Sequence, residues 1–133
     1  MRLAPTRPVT AQAIQAELPR DQAAAAVARR LLDDRLAAAL PAKALECAKL
    51  VASELVNNAC VHGRGRIELR ARLHGQRLRI EVVDQGEGAA VRVRQAAADG
   101  RGGWGLRIVE TLSVEWGAFE GTTHVWADVA VRG

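Results

Sequence analysis

Glu54, Asn58 and His62 follow one another at four-residue intervals, and in a helix that spacing projects all three side chains along one stripe. A carboxylate and an amide held this way can divide the work of metal-assisted phosphoryl chemistry. The amide oxygen is a hard ligand for Mg²⁺, and the carboxylate can position or deprotonate an attacking hydroxyl or water. Alone the pair is a weak signal, because exposed helices carry Glu and Asn at this spacing by chance. His62 reads equally well as a helix-end packing residue.

Three glycine-bearing segments follow. Asp84-Gln85-Gly86-Glu87-Gly88 comes directly after an alternating apolar run. A carboxylate at a strand end can accept a hydrogen bond from an exocyclic amine such as that of adenine, while glycines let backbone approach a ligand closely. Gly100-Arg101-Gly102-Gly103-Trp104-Gly105-Leu106 contains a literal G-x-G-x-x-G, but no strand directly precedes it, so a dinucleotide fold is not indicated. Glycines feeding a helix N-terminus still expose backbone N–H groups and the positive end of the helix dipole, which suits phosphate. Gly121-Thr122-Thr123 opens the last apolar alternation and can add a hydroxyl beside Asp84.

The elements that must hold these residues are legible from periodicity. After Pro19, with Asp21 as cap, Ala24, Val27, Ala28, Leu31, Leu32 and Leu36 recur at helical spacing up to Pro41. A second helix is predicted from Ala42 to about His62, with Leu45, Ala48, Ala52, Leu55, Val56 and Ala59 on one face, ending at Gly63. The period then changes to two. Ile67, Leu69, Ala71 and Leu73 predict a strand, Gly75-Gln76 a turn, and Leu78, Ile80 and Val82 a hairpin partner ending at Asp84. Residues 85–103 read as a functional loop. A short helix is expected from Leu106 to about Leu112, then a hairpin over 113–119 and 122–131. An edge strand ending near Leu18 is the only element expected in an otherwise irregular lead-in over residues 1–17, with the domain occupying 18–133. Helices followed by hairpins imply an α+β fold, a two-layer sandwich with helices on one face of a mixed, mostly antiparallel sheet.

Composition narrows the function. A chain of 133 residues fits one domain, and 49% apolar with 26% charged residues is a globular balance that supports a core without disulfides or a structural metal. No apolar run reaches the length of a membrane span and Met1-Arg2-Leu3-Ala4-Pro5 begins no signal peptide, so a cytoplasmic protein with no membrane partner is expected, and Cys47 and Cys60 read as reduced thiols. The net charge of +4 is carried by arginine, with Lys43 and Lys49 the only lysines, and aromatics are 3%. Scattered arginines without stacking aromatics argue against a nucleic-acid module. A P-loop is missing, and Ser53 and Ser113 lie in no nucleophile elbow.

The order Ser53-Glu54-Leu55-Val56-Asn57-Asn58-Ala59, Asp84-x-Gly86-x-Gly88, Gly103-x-Gly105-Leu106 and Gly121-Thr122 resembles the GHKL (Bergerat-fold) ATPase superfamily. Within it the chain looks most like the stand-alone ATP-binding proteins of the anti-sigma-factor serine/threonine kinase type, over about Leu18 to Val131. The resemblance implies ATP and Mg²⁺ as cofactors. It makes Glu54 the general base and Asn58 the Mg²⁺ ligand, a choice over Asn57 that follows from the four-residue step to Glu54. Asp84 becomes the adenine-binding aspartate, with Gly86 and Gly88 shaping the base pocket. Gly103, Gly105 and Leu106 become the end of the lid that meets the phosphates, Arg101 a lid cation, and Thr122 or Thr123 the threonine supporting the adenine site. Trp104 departs from the pattern, being bulky for such a position.

The resemblance further implies phosphorylation of a small antagonist protein, sequestration of a sigma factor, and a homodimer. Two alternatives stay open on sequence: an ATP/ADP-binding switch with little or no kinase activity, and the ATPase domain of a histidine-kinase-like system. The second is disfavoured because the residues before the second helix supply one helix and a proline-rich lead, too little for a phosphoacceptor hairpin.

Overall fold

The computed structural model describes residues 13–86, 103–119 and 124–132. The chain runs β1 (Ala13–Leu18), α1 (Ala24–Leu36), α2 (Ala42–His62), β2 (Ile67–His74), β3 (Arg77–Val83), α3 (Gly103–Leu112), β4 (Glu115–Ala118) and β5 (Val125–Ala130). The strands form one sheet in the order β1-β2-β3-β5-β4. Among the described residues every ladder is antiparallel, so the parallel component of a mixed sheet is not seen. The edge strand expected near Leu18 draws residues 13–17 of the expected lead-in into this sheet.

The helices cover one face because their apolar residues recur at the helical period and those of the strands at two. Ala24, Ala28, Leu32 and Leu36 of α1 and Leu45, Ala48, Ala52, Leu55, Val56 and Ala59 of α2 are buried against Ile67, Leu69, Ile80, Val82, Ala127 and Val129. Val109 of α3 joins the same core. Three boundaries differ from expectation. Asp21 does not cap α1: its Oδ1 accepts from the Ala23 N–H at 2.7 Å, making a turn whose last residue, Ala23, is the N-cap. The first helix stops at Leu36, where a turn takes the Ala39 and Leu40 N–H groups to the Leu36 carbonyl, and Pro41 opens α2. The third helix begins at Gly103, three residues early, because glycine's low helix propensity is overridden by tertiary packing against α2. No helix among the described residues is long and apolar enough to cross a membrane.

The other sheet face is polar. There Asp128 of β5 is buried yet charged, accepting from Arg79 Nε at 2.8 Å and Arg79 Nη2 at 3.0 Å, with Arg77 Nη1 at 3.4 Å. The hydrogen bonds from Arg79, more than the opposing effect of burial, hold its carboxyl below the usual aspartate range. A depressed folded value stabilises the fold above the unfolded-state pKa of about 3.9 and is lost as pH falls through the folded one. Asp128→Asn should therefore cost about 1–2 kcal/mol at neutral pH, discounted for the partly exposed arginines, and progressively less as pH falls through the folded value. Urea melts at neutral and at acid pH check this; an equal penalty at both would show that the ion pairs contribute nothing.

Candidate functional site

Glu54 and Asn58 sit half-buried one turn apart on α2, whereas Asn57 is exposed. The Asn58 Nδ2 is buried and finds no acceptor among the described residues. A buried amide N–H without a partner costs roughly 1–3 kcal/mol, and turning the amide about its last side-chain bond exchanges the positions of its oxygen and nitrogen. No cluster of three or more His, Cys, Asp or Glu able to hold a metal occurs among the described residues. A cation here would therefore rest on one amide oxygen, ligand oxygens and water, the pattern suited to Mg²⁺ rather than to a metal held in an all-protein cage.

Asp84 is fixed at the end of β3 by the chain that leaves α2. Its Oδ1 accepts from the Gly86 N–H at 2.8 Å. The carboxylate lies so close to Gly63, the C-cap of α2, that a Cβ there would overlap Asp84 Oδ2. Beside it the Gln85 N–H donates to the Arg64 carbonyl at 2.8 Å, and Gln85 Oε1 accepts from the Arg66 N–H at 2.8 Å. Gly65 has φ +67°, and a side chain there would strike Gln85. These contacts bring together two predicted site elements separated by two strands of sequence. At 1.5 Å per residue, Asn58 lies about 7 Å and Glu54 about 13 Å up the α2 axis from the Gly63–Asp84 contact.

Arg20, in the β1–α1 connection, locks the same corner. Its Nη2 donates to the carbonyls of Ala59 at 3.0 Å, Cys60 at 3.1 Å and Gly63, and its Nη1 to that of Gly65 at 3.4 Å. The last carbonyls of a helix have no intrahelical donors and carry the negative end of its dipole, which a guanidinium offsets. Nothing in the local sequence signals this role, because the contact is between residues about forty positions apart. Arg29 adds a second brace, its Nη1 donating to Ser53 Oγ at 2.9 Å next to Glu54.

Gly103, Gly105 and Leu106 lie in the first turn of α3 rather than in a loop before it. The first four N–H groups of a helix lack intrahelical acceptors, and here they belong to the glycine-bearing turn itself because the helix starts early. The helix packs on α2, the element that carries Glu54 and Asn58. Gly88, Arg101, Thr122 and Thr123 lie outside the described residues.

The residues present thus fit a nucleotide and a hard cation: an amide with an unmatched buried nitrogen, a carboxylate seated at a strand end, and a glycine-opened helix. No curated protein matches the chain. The family model for the histidine kinase-like ATPase domain matches residues 18–127, which takes in α2, the β3 terminus, α3 and the first half of β5. The chain belongs to the histidine kinase-like ATPase domain family.

Proposed function

We propose that this chain is an Mg²⁺-ATP-dependent regulatory protein of the anti-sigma type, transferring the γ-phosphoryl group of ATP to a serine or threonine hydroxyl of a small antagonist protein and sequestering a sigma factor. The observation that carries this reading is the Gly63–Asp84 contact, which places a carboxylate suited to an exocyclic amine at the foot of the helix bearing Glu54 and Asn58. In this reading Asp84 accepts a hydrogen bond from the adenine amine, and Gly86 holds that carboxylate in place through its N–H. Asn58 would hold Mg²⁺, which would supply charge to offset that of the phosphates. Glu54 takes the proton of the attacking hydroxyl as its oxygen bonds to the γ-phosphorus and the bond to the leaving ADP oxygen breaks. The first-turn N–H groups of α3 face the phosphate oxygens.

Calorimetric titration with ATP tests the nucleotide half of the proposal. Binding should strengthen with Mg²⁺, and Asp84→Asn should weaken it roughly 10- to 100-fold, the range expected when a charge-assisted hydrogen bond becomes a neutral one. An unchanged affinity for ATP in Asp84→Asn would reject this base pocket. Incubation with radiolabelled ATP and a candidate antagonist tests the other half. Label that stays in ATP while ATP binds normally identifies the pocket as a nucleotide-operated switch instead.

A further inference from the structure

The place of Arg20 is set by strand pairing. Leu18 closes β1 opposite Ile67 of β2, and Pro19, which has no N–H to give, ends the ladder there. Counted on by the same antiparallel register, Arg20 falls level with Gly65, and its Nη1 donates to the Gly65 carbonyl. The remaining bonds run from Nη2 to the carbonyls of Ala59 and Cys60, in the last turn of α2, and of Gly63 just past it. All four acceptors are backbone carbonyls. The guanidinium is therefore committed to joining the end of α2 to the chain that leaves it.

That chain, residues 63–66, carries the end of β3 on its other side. Gly63 lies against Asp84 Oδ2, and Gly65, at φ +67°, against the Gln85 side chain. Gln85 donates its N–H to the Arg64 carbonyl and accepts the Arg66 N–H at Oε1, both at 2.8 Å. One further hydrogen bond ties the segment to α2, from the Gly63 N–H to the Ala59 carbonyl at 2.9 Å. The segment is a shim between Arg20 and Asp84, and a displacement of it displaces the carboxylate resting on it. Glu54 and Asn58 are insulated from such a displacement, because the hydrogen bonds of α2 itself hold them.

Resting on the nucleotide reading above, we infer that Arg20 is a positioning residue that sets purine discrimination. By pinning residues 63–66 it keeps Asp84 where the carboxylate can accept from an exocyclic amine, although Arg20 itself is assigned no contact with the nucleotide. Arginine suits the task because its planar fork presents donors from two nitrogens in fixed geometry, and bonds from a charged donor are the stronger kind. Recognition by a single carboxylate needs its supporting groups held to about 0.5 Å. The preference for adenine thus depends on a residue in the β1–α1 connection, more than sixty positions from Asp84 in sequence.

The test compares ATP with purine riboside triphosphate, which lacks the exocyclic amine, by calorimetric titration with Mg²⁺. Wild type should prefer ATP by about tenfold or more, the worth of one charge-assisted hydrogen bond. Arg20→Met should weaken ATP binding by about that factor and purine riboside triphosphate binding by less than about threefold, so that the preference collapses. Arg20→Lys keeps the charge at the helix end without the fork and should retain part of the preference; if Arg20→Met does not fold, this variant carries the comparison. An independent readout needs no nucleotide. The Gly86 amide proton, bonded to Asp84 Oδ1 at 2.8 Å, should move upfield in the NMR spectrum of either variant as that bond loosens, while the Ile80 amide proton stays in place. Equal loss of both nucleotides would make Arg20 merely structural and overturn the inference. So would an undiminished preference for ATP in both variants, or an unmoved Gly86 resonance. Equal binding of the two nucleotides by wild type would instead reject Asp84 as the reader of the amine, and purine discrimination by Arg20 with it, while the Gly86 resonance would still report whether Arg20 holds the carboxylate.

Discussion

Glu54→Ala should reduce phosphotransfer by roughly 10²- to 10⁴-fold, the contribution typical of a positioned general base, while ATP affinity changes little. The separation follows from position. Glu54 is half-buried two turns before the Gly63–Asp84 corner that is assigned to the base, and no hydrogen bond from Glu54 to another described residue supports the fold. Asn58→Ala on the same stripe should behave differently, weakening the Mg²⁺-dependent part of ATP binding, since its amide oxygen is the group assigned to the cation. Single-turnover transfer from radiolabelled ATP, read beside calorimetric affinity, distinguishes the two. Full transfer by Glu54→Ala would remove this residue from the chemistry. Loss of ATP binding in the same variant would make it a binding residue instead.

How much of this was readable in advance depends on the range of the interaction involved. The α2 helix, the β2–β3 hairpin and the glycine-opened α3 follow from periodicities of 3.6 and 2 within windows of a dozen residues, and the structure has them nearly where expected. Stripe geometry chose Asn58 over Asn57 because a four-residue step is a local fact; in the structure Asn58 is half-buried and Asn57 exposed. Capping was less legible. Asp21 has the right chemistry for an N-cap but forms a turn two residues early, since which polar residue caps a helix depends on how the preceding strand enters. The Arg20 clamp and the Gln85 bonds join segments 19 to 45 residues apart, and no local rule reports them. The outer-face arginines were visible as alternation in β2 and β3. Their pairing was not, because it depends on the strand order that sets Asp128 beside Arg79 and leaves Arg72 beside Ala13. Dispersed in sequence, they read as a solvated surface.

Gly63→Ala should damage stability and nucleotide binding together, and more than its single added methyl suggests. Backbone conformation is not the reason, because φ is −92° and ψ −168°, an extended geometry any residue adopts. The obstacle is space: the new Cβ would overlap Asp84 Oδ2 and come within 2.7 Å of the Ala59 carbonyl oxygen. If the carboxylate swings away it leaves the Gly86 N–H and the position assigned to the adenine amine. If instead the 63–66 segment retreats, the Gln85 bonds to Arg64 and Arg66 and the Arg20 clamp on Gly63 and Gly65 are strained. Either relaxation costs about 1–3 kcal/mol by analogy with overpacked interiors, a fall in melting temperature of roughly 4–12 °C for a domain of this size. ATP affinity should drop at least as far as in Asp84→Asn. A double-mutant cycle identifies the cause: in an Asp84→Ala background the carboxylate is gone, and Gly63→Ala should then cost clearly less, with only the Ala59 contact left to accommodate. Additive penalties in that cycle would mean that Gly63 and Asp84 do not meet, and the base pocket built on their contact would go with it.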